Sequence, residues 1–133
     1  MLTEFTVKSR SRTEFINITG QVSDIVSKSK TNNGICHIFV PHTTAGLLIN
    51  ENADPDVPSD IISQMGKMVP QSAGYSHSEG NSAAHIKSCL VGISKEVIIE
   101  NGRLLLGTWQ GIFFAEFDGP RIRKVFVKIL KEV

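Results

Sequence analysis

Apolar and polar residues alternate along "LTEFTVKS" and again along "EFINIT", the period-2 signature of half-buried strands, with a polar turn at Ser9 to Arg12 between them. The pattern predicts an opening hairpin. From Thr19, placed to cap a helix, Val22, Ile25 and Val26 follow at helical spacing until "TNNG" breaks the chain at 31 to 34. "GICHIFVPH" alternates again, setting Ile35, His37 and Phe39 on one face and Cys36, Ile38 and Val40 on the other. "AGLLINE" reads as a further strand after a bend at Pro41 to Thr44. Over Asp56 to Met68 the residues Val57, Ile61, Ile62, Met65 and Met68 recur at helical period, a stripe expected to face the core, with Pro58 tolerated in the first turn. After the aperiodic "PQSAGYSHSEGN", "SAAHIKSCLVG" reads as a helix closed by Gly92. "SKEVIIENGRLLLG" carries Asn101-Gly102, the dipeptide of a type I′ hairpin, and "TWQGIFFAEF" with "RIRKVFVKIL" predicts another strand pair across "DGPR".

Strands outnumber helices and most sequential strands can pair by tight turns. The expected class is α+β, a mainly antiparallel sheet or sandwich with a few packed helices. A sheet of this size has edges to cover, and oligomerisation is one way to cover them. The length, 133 residues, fits a single domain over 1–133. Balanced charge, a formal net of +1, removes the broad electrostatic footprint expected of a nucleic-acid binder. No stretch approaches the roughly 20 apolar residues of a membrane-spanning helix, and "MLTEFTVKSRSRTEF" has no signal-peptide core, so no membrane partner and a cytoplasmic location are expected. Cys36 in a strand pattern and Cys89 in a helical one are both expected to be buried free thiols.

Candidate chemistry gathers in three places. His42 to Asp56 crowds His42, Asn50, Glu51, Asn52, Asp54 and Asp56 around the end of a strand. Asp56 has a structural explanation, because acids favour a helix start. Asn50, Glu51 and Asn52 precede that helix and would be expensive to desolvate without partners. Glu51 or Asp54 could act as a general base or hold Mg²⁺ through oxygen. In the second place, His77 and Glu79 sit in a loop, Asn81 near the start of the next helix and His85 one turn in. With His42 they would supply three imidazoles, the ligand set of an open zinc site; the alternative is three surface or structurally satisfied histidines, since no short metal signature is present. The third place is "LGTWQGIFFAEF", where a tryptophan among glycines suits close backbone packing somewhat better than ligand stacking.

"HTTAGLLINENADPDV", "HSEGNSAAHIKSCLVG" and "NGRLLLGTWQGIFFAEFDGPR", taken in that order, closely resemble the YjbQ family of small proteins known as secondary thiamine-phosphate synthases, over roughly residues 5 to 130. The resemblance implies a homotrimer of α+β subunits with a pocket lined by the motif residues. His42, Asn50, Glu51, Asn52 and Asp54 match the first motif; His77, Glu79, Asn81 and His85 the second; Gly107, Trp109, Gln110 and Glu116 the third. Where relatives often carry an acid before the "AH" pair, this chain has Ala83. The implied reaction joins hydroxymethylpyrimidine diphosphate to thiazole phosphate with release of pyrophosphate, which calls for charge stabilisation by a divalent metal, Zn or Mg, or by basic residues. Lys87 and Arg103 are candidates to meet the phosphorylated substrate, against plain readings as a solvated helical residue and a residue following a turn. Trp109 and Gln110 would meet the heterocycle. Glu79 could instead activate water in a metal-dependent hydrolase, and a binding trimer without turnover is the third reading.

Overall fold

The computed structural model describes residues 1–133. Its elements follow one another as β1 (Leu2–Lys8), β2 (Glu14–Asn17), α1 (Thr19–Ser29), β3 (Gly34–Phe39), β4 (Ala45–Glu51), α2 (Asp56–Met68), α3 (Ser82–Val91), β5 (Ser94–Glu100), β6 (Arg103–Leu104), β7 (Gln110–Glu116) and β8 (Ile122–Lys131). All pairings are antiparallel, in one sheet ordered β1-β8-β3-β5-β6 and a second ordered β2-β7-β4. The expected α+β class with antiparallel sheets is present. Between the sheets, Val7, Cys36, Ile38, Val97, Ile99, Val125 and Val127 from the first meet Leu47, Ile112 and Phe114 from the second, with Val22 and Val26 of α1 completing the same core. Burying aliphatic side chains from both inner faces is the main stabilising contribution in such a sandwich. The outer face of the second sheet carries α3 and, more lightly, α2, over a smaller cluster of Ala84, Ala115 and Phe117. β7 is therefore covered on both faces, which explains its unbroken apolar run "GIFFA".

Local signals are obeyed where they are self-contained. Asn101 and Gly102 both have positive φ, 53° and 80°, and close the β5–β6 hairpin as a type I′ turn requires. Gly92 ends α3 at φ 89°. Thr19 does not cap α1. It is the first helical residue, and its hydroxyl donates to Asn17 Oδ1 at 2.7 Å and accepts from the Ile112 amide at 2.8 Å, which ties the helix to β7.

Two predicted hairpins are absent. β1 pairs with β8 and β2 with β7, so "LTEFTVKS" and "EFINIT" lie in different sheets, as do the two strands flanking "DGPR". Lys8 pairs with Ile122 and Glu14 with Glu116, leaving Ser9–Thr13 opposite Phe117–Arg121, five residues on each arm. The four strands form one antiparallel ribbon that bends through a corner from sheet to sheet, and both "turns" are its two arms. The arms touch through Ser9 N to Arg121 O and Gly119 N to Arg12 O, each 3.0 Å. A Cβ at Gly119 would stand 2.2 Å from the Ser11 carbonyl oxygen, so only glycine permits this approach.

Inside the corner Glu116 and Arg123 form a buried ion pair. Arg123 Nε donates to Glu116 Oε1 at 2.8 Å and its Nη2 reaches Glu116 Oε2 and the Thr44 hydroxyl; Ser9 Oγ and the Asp118 amide donate to the remaining lone pairs at 2.7 and 3.0 Å. Burial alone would raise the Glu116 pKa. The hydrogen bonds from Arg123, Ser9 and Asp118 outweigh it and hold the carboxyl below the usual range.

Two further expectations are corrected. Cys36 is buried, with a thiol pushed up to about 11, but Cys89 is exposed on α3. None of the α2 stripe is fully buried, and Met68 is 64% exposed, because α2 touches only one edge of the second sheet.

Removing one member of the corner pair strands the other charge, which typically costs about 3–5 kcal/mol. Glu116→Gln is therefore expected to lower stability strongly in denaturant titration. Because the folded Glu116 pKa is depressed, its contribution is complete above the ordinary carboxylate pKa and is lost as pH falls through the folded value. Wild-type stability should drop across that acidic window, and the Gln variant should follow a flatter curve.

Candidate functional site

Two groups of polar side chains stand at opposite ends of β7. At its start, register sets Asn50 opposite Gly111 and Glu51 opposite Gln110, and the Asn52 amide donates to the Trp109 carbonyl at 2.9 Å. Gln110 Oε1 accepts from the Gly107 amide at 2.8 Å and Asn50 Oδ1 from the Glu51 amide at 2.7 Å. A Cβ at Gly111 would fall 2.4 Å from Asn52 Nδ2, so the glycine lets the Asn52 side chain lie across the strand. Asp54 accepts from the Asp56 amide at 2.9 Å and serves the entry to α2. Trp109 is 62% exposed. The reading as core packing is overturned, because β7 begins only at Gln110 and Trp109 occupies the turn before it, where alternation does not apply.

The second group surrounds the corner. Asn81, which precedes α3, donates through Nδ2 to Asp118 Oδ2 at 2.9 Å, and its Oδ1 is buried without a partner. Desolvation would raise the Asp118 pKa, but the bonds from Asn81 and Arg121 hold it below the usual range. The rings of His77 and His85 meet edge-to-face with centroids 5.4 Å apart, and His77 Nε2 lies 3.9 Å from Glu79 Oε1. Tyr75, Ser82 and Ile86 join the two histidines around a cleft of about 410 Å³. Lys87, expected to be solvated, is buried on the inner face of α3 with Nζ 5.9 Å above the Phe117 ring, and burial lowers its pKa. Ala83 is fully buried, so an acid at that position would lose its hydration within the packing of α3.

His42 is half-buried in the β3–β4 crossing and accepts the Lys124 amide at Nε2, 2.9 Å away. Burial, reinforced by the charge of Arg123, lowers its pKa. That bond occupies one ring nitrogen, and no set of three or more His, Cys, Asp or Glu side chains converges within the chain. Three imidazoles from one subunit thus do not assemble a metal centre here; only His77 and His85 adjoin. Arg103 follows the Asn101-Gly102 turn and lines a separate cleft with Asp24 and Ser27 of α1. From Gln110 to Glu116 the strand advances six residues, roughly 20 Å at about 3.3 Å each, so the two groups do not share one pocket within the chain.

Ser9, Thr44, Asp118 and Arg123 were not singled out from sequence, and Glu116 only as a motif position. The signal was available in parity: Glu116 lies two residues beyond Phe114 and Arg123 two before Val125, so both charges occupy inward positions of their strands.

With this geometry in hand, comparison with known proteins is informative. A family model described as UPF0047 protein YjbQ-like matches residues 3–132. The chain is 54% identical to UPF0047 protein MJ1081 of Methanocaldococcus jannaschii, across 98% of this chain and 94% of the relative. It is 48% identical to UPF0047 protein YugU of Bacillus subtilis, across 98% and 99%. The crystal structure of a conserved YjbQ/UPF0047 protein from Clostridium acetobutylicum superposes with a TM-score of 0.95 at 55% identity, covering 96% of this chain and 99% of that one. A YbjQ-like protein of unknown function from Sulfolobus solfataricus gives 0.95 at 36% identity, covering 99% and 97%. Matched along nearly its whole length in both sequence and fold, the chain belongs to the YjbQ/UPF0047 family.

Proposed function

We propose that the protein is a homotrimeric transferase of the secondary thiamine-phosphate synthase type, with each active site completed between neighbouring subunits. The thiazole nitrogen would attack the pyrimidine methylene as its bond to the diphosphate breaks, releasing pyrophosphate. The observation that carries this reading is Trp109, an exposed indole on the residue whose carbonyl accepts the Asn52 amide, at the strand end that also carries Gln110 and Glu51. An exposed aromatic face with amide donors and acceptors suits a flat heterocycle. Asn50 adds polarity at the same strand end, and Asp54 remains committed to α2.

What one chain leaves exposed supports the trimer. Trp109 and Leu105 are exposed beside the first group, Ile86 and Leu90 beside the second, and the α2 stripe is only partly covered. A head-to-tail ring would bring the Trp109 end of one subunit to the His77–His85 end of the next, and such heterologous contacts close cyclic trimers. In that site His77 and His85 would face the phosphorylated substrate, Glu79 would relay a proton through His77 to the departing pyrophosphate oxygen, and Asn81 would offer its unpartnered oxygen. Lys87 and Arg103, a buried amine and a residue on a different cleft, are less well placed for phosphate. A divalent cation, zinc or magnesium, would in this reading be held by the His77 and His85 imidazoles with its other ligands from outside that pair, supplying charge stabilisation, and no step depends on it. The Glu79–His77 contact equally suits hydrolysis of another small substrate, which the same assays separate.

Light scattering at low micromolar concentration is expected to give three subunits; a stable monomer would remove the architecture. Coexpression provides the site test. His85→Ala and Trp109→Ala trimers should each be inactive, whereas random mixing leaves one intact site in each mixed trimer and should recover about a quarter of wild-type activity. No recovery would mean that both residues act within one chain, and an active single-variant trimer would mean that its residue is not needed.

With both thiamine precursors as substrates, Glu79→Gln is expected to lower turnover by about 10²- to 10⁴-fold while leaving the melting temperature nearly unchanged. Unaltered turnover would assign Glu79 a structural part and move the proton-transfer role to Glu51. If the wild-type protein releases no pyrophosphate from the precursors but hydrolyses another phosphorylated compound, the hydrolase reading replaces this one.

A further inference from the structure

A further cavity lies away from both polar groups. It is a cleft of about 570 Å³ between α1 and the first sheet. It opens because β1 and β8 end out of step: Leu2, the first residue of β1, pairs with Lys128, so β8 runs three residues further, to Lys131, without a β1 partner. The inward row of β8, Val125 and Val127 in the core and Ile129 packed against it, continues into this notch and ends in Lys131. Ile25 of α1 forms the apolar roof, and Lys28, one turn on, stands at the rim. Thr3 and Thr31 add hydroxyls, and no acidic residue lines the cleft.

Neither lysine has a carboxylate partner. Lys28 has a local explanation, since a cation in the last turn favours a helix C-terminus. Lys131 has none: it continues an aliphatic row at an inward position, where an apolar residue would extend the core. The cleft falls within the size of small-molecule sites, about 300–1,000 Å³. Its walls are apolar and its fixed charges are of one sign.

We propose that this cleft binds an amphipathic monoanion, a medium-chain carboxylate whose hydrocarbon tail lies along Val127 and Ile129 beneath Ile25 and whose head meets Lys28 and Lys131. Burying a chain of several methylenes against apolar walls supplies affinity, and the two ammonium groups select the sign of the head. The site is independent of the proposed transferase reaction, since it shares no residue with either polar group.

Calorimetric titration of the full-length protein with octanoate, octylammonium and octanol tests the assignment. Octanoate is expected to bind saturably, one per subunit, with octylammonium and octanol at least about tenfold weaker. The paired substitution Lys28→Gln and Lys131→Gln, both at exposed positions, should weaken octanoate about tenfold and leave octanol unchanged. Amide and methyl NMR shifts on octanoate addition should centre on Ile25, Val127 and Ile129. Equal affinity for all three probes, octanoate binding untouched by the double substitution, shifts centred elsewhere, or no saturable binding in the millimolar range would each overturn the proposal.

Discussion

The ion pair of Glu116 and Arg123 is the constraint around which this fold is arranged. Two charges withdrawn from water between two sheets are tolerable only when every lone pair and N–H finds a partner. The partners come from three chain crossings: Ser9 from the first arm of the corner, Thr44 from the link between β3 and β4, and Asp118 from the second arm. Satisfying one carboxylate and one guanidinium therefore fixes where three segments pass from sheet to sheet. It also sets the surroundings of His42, which lies two residues before Thr44 and receives the amide of the residue after Arg123.

A consequence for function is that the chemistry-bearing residues are held on a rigid ruler. β7 is buried on both faces and pairs along its whole length with β4, so the distance between its Trp109 end and its Asp118 end is fixed by strand geometry rather than by loop flexibility. One chain presents two partial constellations, each with exposed apolar neighbours. Under the proposed assembly, a ring of subunits that pairs unlike ends would complete both constellations and cover the exposed apolar surface by one contact.

How far the sequence could be read follows from the range over which each signal acts. The bounds of α2, the Asn101-Gly102 hairpin and the two faces of β3 depend on neighbours within a few residues, and the structure reproduces them. Alternation and a polar turn are identical for a hairpin and for a ribbon bent between sheets; only β1–β8 and β2–β7 pairing, between partners roughly a hundred residues apart or more, distinguishes them. Lys87 escaped because its helix presents that face to Phe117, and Trp109 because the start of β7 falls one residue after it. The α2 stripe was read correctly as apolar and wrongly as covered, since periodicity reports which face is greasy but not what lies against it.

The matched arms of the corner carry a consequence for how such a chain can change length. Because five residues face five, β1–β8 and β2–β7 share one continuous register. A single inserted residue in Ser9–Thr13 must bulge outward or slip β1 by one step, turning Val7 to solvent and an exposed neighbour into the core. Insertions here are tolerable chiefly as compensated pairs, one on each arm, although the two arms are separated by almost the entire sequence. Among homologues, gaps in these two segments should be inherited together, so that alignment alone would expose the bend that a single sequence conceals.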